Sequence, residues 1–118
     1  MTLEEIMKQC DDECEASRQA ALREAEDNFP GAVMDRFGPG TIGLHEGLDR
    51  TYVQASVTEQ YVAGSPAVAL CPQAYRLVYV SIQLLNEAYQ KLARFDEDGN
   101  ENSGRQDSVG AGPVGGGA

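Results

Sequence analysis

The sequence predicts an all-α protein: two long helices with a shorter middle helix, forming a helical hairpin or open three-helix unit, followed by a disordered Gly-rich C-terminal tail. Three observations predict this. Tyr75, Val78, Ile82, Leu85, Tyr89 and Leu92 fall at alternating spacings of three and four, the seam of an amphipathic helix that packs along another helix. Residues 3–28 hold neither Gly nor Pro and follow a T-x-x-E capping sequence, Thr2 with Glu5. From Asp96 the apolar periodicity stops and the composition turns acidic, then Gly-rich. The expected division is therefore a helical assembly domain over residues 1–95 and a flexible tail over 96–118.

The first helix is expected from Leu3 to about Asn28, ended by Pro30 and Gly31. Its seam, Leu3, Met7, Cys10, Cys14, Ser17 and Ala21, with Ile6 and Leu22 alongside, is narrow and mostly small. Small side chains let helix axes approach but bury little area, so this helix needs a larger surface to dock on. Its other faces carry Glu4, Glu5, Asp11, Asp12, Glu13, Glu15, Glu24, Glu26 and Asp27, a solvated surface.

Pro30, Gly31, Gly38, Pro39, Gly40 and Gly43 make residues 30–43 a loop, with Val33, Met34 and Phe37 available to pin it to a core. Residues 44–63 carry two patterns. Leu44, Leu48, Tyr52 and Ala55 fit a helical face, whereas Val53, Ala55 and Val57 alternate as in a strand. Helix is favoured, because a lone strand has no pairing partner here and Gly64 suits a helix C-terminus. Ser65-Pro66 reads as an N-cap followed by Pro at the first helical position, and Cys71-Pro72 repeats it, so a short turn of helix from Pro66 restarts at Pro72. The last helix is expected to run through Arg94 or Phe95. A second apolar row on it, Leu77, Leu84, Ala88 and Phe95, flanks the seam and asks for a further neighbour.

With 19 acidic against 9 basic side chains the formal net charge is −10, and the basic residues are scattered. Phosphate neutralisation needs clustered Lys and Arg, which argues against nucleic acid and equally against an anionic membrane as partner. No apolar run approaches the roughly 18 residues of a membrane-spanning helix. The acidic start, Thr2-Leu3-Glu4-Glu5, lacks the basic and apolar regions of a secretory signal, so cytosolic synthesis is expected. Three cysteines, an odd number, favour reduced thiols or a bridge between chains over a self-contained disulfide framework.

Each motif that carries chemistry meets a plainer explanation. Cys10 and Cys14, four apart on one helical face, could reach one zinc ion with Cys71 and His45 completing the set, but no knuckle spacing brings the four together. A Cys–His catalytic pair would need the only histidine, which sits beside glycines as an ordinary helix-end or loop residue. Asp96, Asp98, Asn100 and Asp107 occupy positions of a calcium loop, yet its sixth position is Glu101 rather than Gly. Gly38, Gly40 and Gly43 spell G-x-G-x-x-G without the buried strand that gives the pattern meaning. Tyr52, Tyr61, Tyr75, Tyr79 and Tyr89 suit core rims and interfaces alike.

No catalytic, cofactor-binding or metal-binding residues are therefore assigned, and no cofactor is expected. The expected interface is the seam Tyr75, Val78, Ile82, Leu85, Tyr89 and Leu92, facing a protein partner in a homo- or hetero-oligomer and assisted by the tail. The expected role is a non-enzymatic structural or adaptor subunit of a larger assembly, most specifically a small accessory protein of a virus or phage particle. The alternative is a small acidic regulatory protein that masks a basic surface of its partner.

Overall fold

In the computed structural model the backbone is described for residues 1–107 and the side chains for residues 1–99. The elements are α1 (Leu3–Asn28), α2 (Val33–Phe37), α3 (Ile42–Val57) continued by a π-helical segment (Thr58–Ala63), α4 (Pro66–Ala69) and α5 (Pro72–Asp107). Among the described residues there is no strand, and residues 44–63, for which the sequence carried both patterns, are helical. The chain divides into two compact units, Met1–Asp35 and the residues from Arg36 on.

The first unit is built on α1. Thr2 caps it: its hydroxyl accepts from the Glu5 backbone N–H and donates to the Glu5 carboxylate, both at 3.1 Å. At the other end the Phe29 N–H donates to the Ala25 carbonyl, and the Gly31 N–H donates to the Glu26 carboxylate at 2.6 Å. Gly31 takes a φ of 71°, a left-handed turn that halts the helix where Pro30 and Gly31 predict. None of the 26 residues of α1 is buried.

In the second unit α3 and α5 pack along one another, with the π segment and α4 closing one end. Thr41 caps α3, accepting from the Leu44 N–H at 3.1 Å and donating to the Gly38 carbonyl at 2.7 Å. Leu44 and Ala55 on α3 and Ile82 on α5 form the small apolar core. Past Val57 the helix widens into π geometry and ends at Gly64. This glycine is not left-handed, its φ being −79°. It is required by close approach instead, since a Cβ there would stand 2.5 Å from the Gln60 carbonyl oxygen. Ser65-Pro66 and Cys71-Pro72 then begin α4 and α5 as expected, Pro66 at the first turn of a four-residue helix.

Two readings are corrected: the expected loop 30–43 contains a short helix, Val33–Phe37, and gives its last two residues to α3, and the end of α5 moves. Helix α5 does not stop at Arg94 or Phe95 but continues to Asp107. Asp96 is buried, and its carboxylate accepts a 2.6 Å hydrogen bond from the Gly40 N–H in the turn before α3. Three residues on, the Pro39 ring lies where a Cβ on Gly99 would stand, so only glycine leaves room for it. The turn at Pro39 and Gly40 thus docks on the helix beyond the apolar seam, which gives these polar residues a reason to stay helical. The disordered tail expected from composition falls, for residues 108–118, outside the described residues.

Candidate interaction face of helix α5

At 3.6 residues per turn, the two apolar rows of α5 are centred about 110° apart around the helix. The first row, Tyr75, Val78, Ile82, Leu85, Tyr89 and Leu92, turns toward the chain's own α3 and π segment. Ile82 is 3% exposed and the other five are half-buried. Tyr89 meets Tyr52 of α3 with ring centroids 6.0 Å apart and tilted by 58°, within the range of favourable aromatic pairs. Tyr75 and Ile82 border a cleft beside Ala63 and Gly64, and Leu92 passes close to Gly47. All six residues expected at an interface are brought onto one surface, and much of that surface is already occupied within the chain.

The second row is exposed among the described residues. Leu77 is 42% exposed, Leu84 49% and Phe95 48%, and Ala88 between them is exposed too. Scattered exposed apolar side chains are normal on soluble proteins, but four on one stripe about 27 Å long, from residue 77 to residue 95 at 1.5 Å per residue, form a continuous apolar track. Arg76, Lys91 and Arg94 flank it on one side, with Glu87 bound to Lys91 at 3.4 Å. Tyr79 lies off the row, stacked on Tyr75 at 6.3 Å.

Asp96 extends the seam in a way that sequence reasoning missed. Counting on from Leu92 by four and then three reaches Asp96 and Gly99, so both occupy seam positions with polar or absent side chains. The continuing three-four register was the available signal. The second Asp96 oxygen faces Nε2 of His45 at 4.0 Å, while the His45 ring stays largely in solvent. Held by the Gly40 N–H, this carboxylate clamps a turn. A charge-assisted hydrogen bond of that kind is about twice as strong as a neutral one.

The remaining candidates do not assemble into reactive sites. Among the described residues, no group of three or more His, Cys, Asp and Glu side chains lies close enough to hold a metal ion. Cys10, Cys14 and Cys71 are free and exposed, so the two on α1 are not the buried seam residues that their spacing suggests. The calcium-loop spacing from Asp96 to Asp107 lies on a continuous helix, which cannot wrap its carboxylates around one ion as a loop does. The glycines at 38, 40 and 43 form the turn into α3, with no strand before them. Among the described residues the carboxylate with a large shift is Glu15: the Arg18 guanidinium and the Gln19 amide hydrogen-bond to it on the exposed face of α1 and lower its pKa from 4.5 to about 2. Its partners are local, three and four residues along the same helix. Among the described residues no helix is long and apolar enough to cross a membrane.

No protein family model matches the chain, and no curated protein or solved structure matches it either.

Proposed function

We propose that this chain is a non-enzymatic structural or adaptor subunit of a larger protein assembly, most specifically a small accessory protein of a virus or phage particle. The observation that carries the reading is the division of labour on α5. One apolar row packs within the chain and the other, Leu77, Leu84, Ala88 and Phe95, is exposed among the described residues. Burying a large apolar side chain contributes about 1.5–3 kcal/mol, so leaving three of them half in water is a deficit that a neighbouring chain removes. In this reading the protein is an open helical unit, a hairpin or three-helix arrangement, whose core is completed by another chain, with further contacts from the C-terminal tail. Assignment to a virion rests on the small acidic chain and its Gly-rich end alone.

One observation favours a second reading, an acidic regulatory protein that masks a basic surface. Helix α1 carries nine acidic and three basic side chains, a net charge of −6, with no buried residue to fix it to a core. Light scattering coupled to size exclusion separates the two. An oligomer or an obligate hetero-complex that dissociates when the Leu77–Phe95 row is made polar supports the assembly subunit. A monomer that stays soluble at high concentration supports the acidic binder and overturns the subunit.

A further inference from the structure

Between α3 and α5, at the level of the Tyr52–Tyr89 pair, an open cleft of about 380 Å³ is bordered by His45, Leu48, Asp49, Tyr52 and Tyr89. The first four stand at positions i, i+3, i+4 and i+7 of α3, so one flank of that helix faces the cleft along two turns. The volume lies within the roughly 300–1,000 Å³ of small-molecule sites. Two aromatic rings, one aliphatic side chain, one carboxylate and one imidazole make up its wall.

This wall favours a cation. The Tyr52 and Tyr89 rings, 6.0 Å apart and tilted by 58°, form a corner and not a flat stack, and such a corner can turn two electron-rich faces toward one charge. Asp49 is exposed and, among the described residues, has no hydrogen bond or ion pair, so its carboxylate is open to an incoming donor. His45 has the Asp96 carboxylate 4.0 Å from its Nε2, so a proton gained by the imidazole is balanced by that carboxylate and leaves Asp49 in surplus. The permanent positive charges at this level point elsewhere. Arg50 is held by Glu46 at 3.8 Å, about 100° around α3 from Asp49, and Lys91 and Arg94 lie about 160° and 140° around α5 from Tyr89.

Among cations the match is to a guanidinium. Its plane stacks on a tyrosine face, its fork of N–H donors fits the two oxygens of Asp49, and it sheds water more readily than an ammonium does. Leu48, half-buried on the same flank, offers an apolar surface to an alkyl stem. We propose that the cleft between α3 and α5 binds an alkylguanidinium, its head against Tyr52, Tyr89 and Asp49 and its stem along Leu48. A free guanidino compound and an arginine side chain presented by another chain share this chemistry, and the test separates them. The site goes beyond the assembly reading and is independent of it, because the Leu77–Phe95 row takes no part in the cleft.

The test is a carbon NMR titration of the full chain, labelled on its tyrosine rings, in about 150 mM salt to screen the general attraction of an acidic protein. Ethylguanidinium and acetyl-Gly-Arg-Gly-amide are the probes, with the citrulline and lysine forms of the peptide as controls. The Tyr52 and Tyr89 signals should shift together along one millimolar-range isotherm, while Tyr61, exposed on the π segment, stays in place. The citrulline peptide should not bind, and the lysine peptide should bind more weakly than the arginine peptide. Asp49→Asn, which keeps the shape of the side chain, and Tyr52→Leu should each raise Kd roughly threefold or more with helical circular dichroism unchanged. A higher affinity for the arginine peptide than for ethylguanidinium supports an arginine of a partner as the ligand, and the reverse order supports a free compound. Equal shifts with the citrulline peptide, equal affinity for the lysine peptide, movement of Tyr61 in step with Tyr52, or an unaltered Kd in Asp49→Asn overturns the proposal and leaves the assembly reading as it stood.

Discussion

Truncating Ile82 and Leu84, neighbours on the same helix, separates the row that holds the chain together from the row that does not. Ile82 is 3% exposed and Leu84 is 49% exposed. Removing the buried isoleucine side chain costs the transfer free energy of its methyl and methylene groups plus a cavity term, together about 2–5 kcal/mol in well-packed cores. Here the core is thin, and Ile82 borders a cleft of about 210 Å³ shared with Tyr75, Ala63 and Gly64, into which neighbours and water can relax. The lower half of the range therefore applies, about 2–3 kcal/mol for Ile82→Ala. Leu84→Ala removes a side chain that is already half hydrated, and within one chain its cost stays below about 1 kcal/mol. For a domain of this size each kcal/mol shifts the melting temperature by about 4–8 °C, so Ile82→Ala should melt roughly 10–20 °C below the native protein. Leu84→Ala should melt close to native at high dilution and fall behind only as concentration rises, because under the proposed assembly it weakens an association and not the fold. Thermal circular dichroism at two concentrations reads both effects. Equal losses in the two variants at high dilution, or a larger loss for Leu84→Ala, would refute the assignment of the two rows.

Two further outcomes follow from particular contacts. Asp96→Ala should cost about 1.5–3 kcal/mol, the range for a hydrogen bond to a charged group, and should speed hydrogen exchange at the Gly40 amide. Asp96→Asn keeps an acceptor at the same place and should retain most of the protection, so indistinguishable exchange in the two variants would remove the clamp. At Glu15 the folded pKa lies below the ordinary value, so its contribution to α1 is fully present above pH 4.5 and is lost as the pH falls through about 2. The side chain is exposed, so solvent screening keeps that contribution small. Carbon NMR of the Glu15 carboxyl should find its midpoint near 2 and see it return toward 4.5 in Arg18→Gln, and a midpoint unmoved by that substitution would discard the Arg18 interaction as the cause.

Much of the helical content was legible because it depends on local chemistry. The Thr2–Glu5 cap, the uninterrupted run to Asn28, the Pro30-Gly31 stop and the proline-led starts at Pro66 and Pro72 each act within a few residues, and all recur in the structure. The three-four seam of α5 was legible for the same reason, since a helix maps spacing directly onto a face. The sequence also exposed two apolar rows on that helix. It did not reveal which of them the chain would cover, because that depends on where α3 lies.

What the sequence by itself determined, then, is a helical chain with its element starts, its acidic outer faces and a double-rowed last helix. Tertiary structure alone decided three things. It spent the Tyr75–Leu92 row on internal packing and left the Leu77–Phe95 row in water, because one short partner helix can cover only one side of α5. It carried α5 past Phe95, because Asp96 and Gly99 hold the turn at Pro39 and Gly40, some 56 residues earlier in the chain. It left the helical cysteines of α1 exposed, although their spacing reads as a seam. In each case the local pattern states what a residue can face, and only contacts between residues distant in sequence decide what it does face.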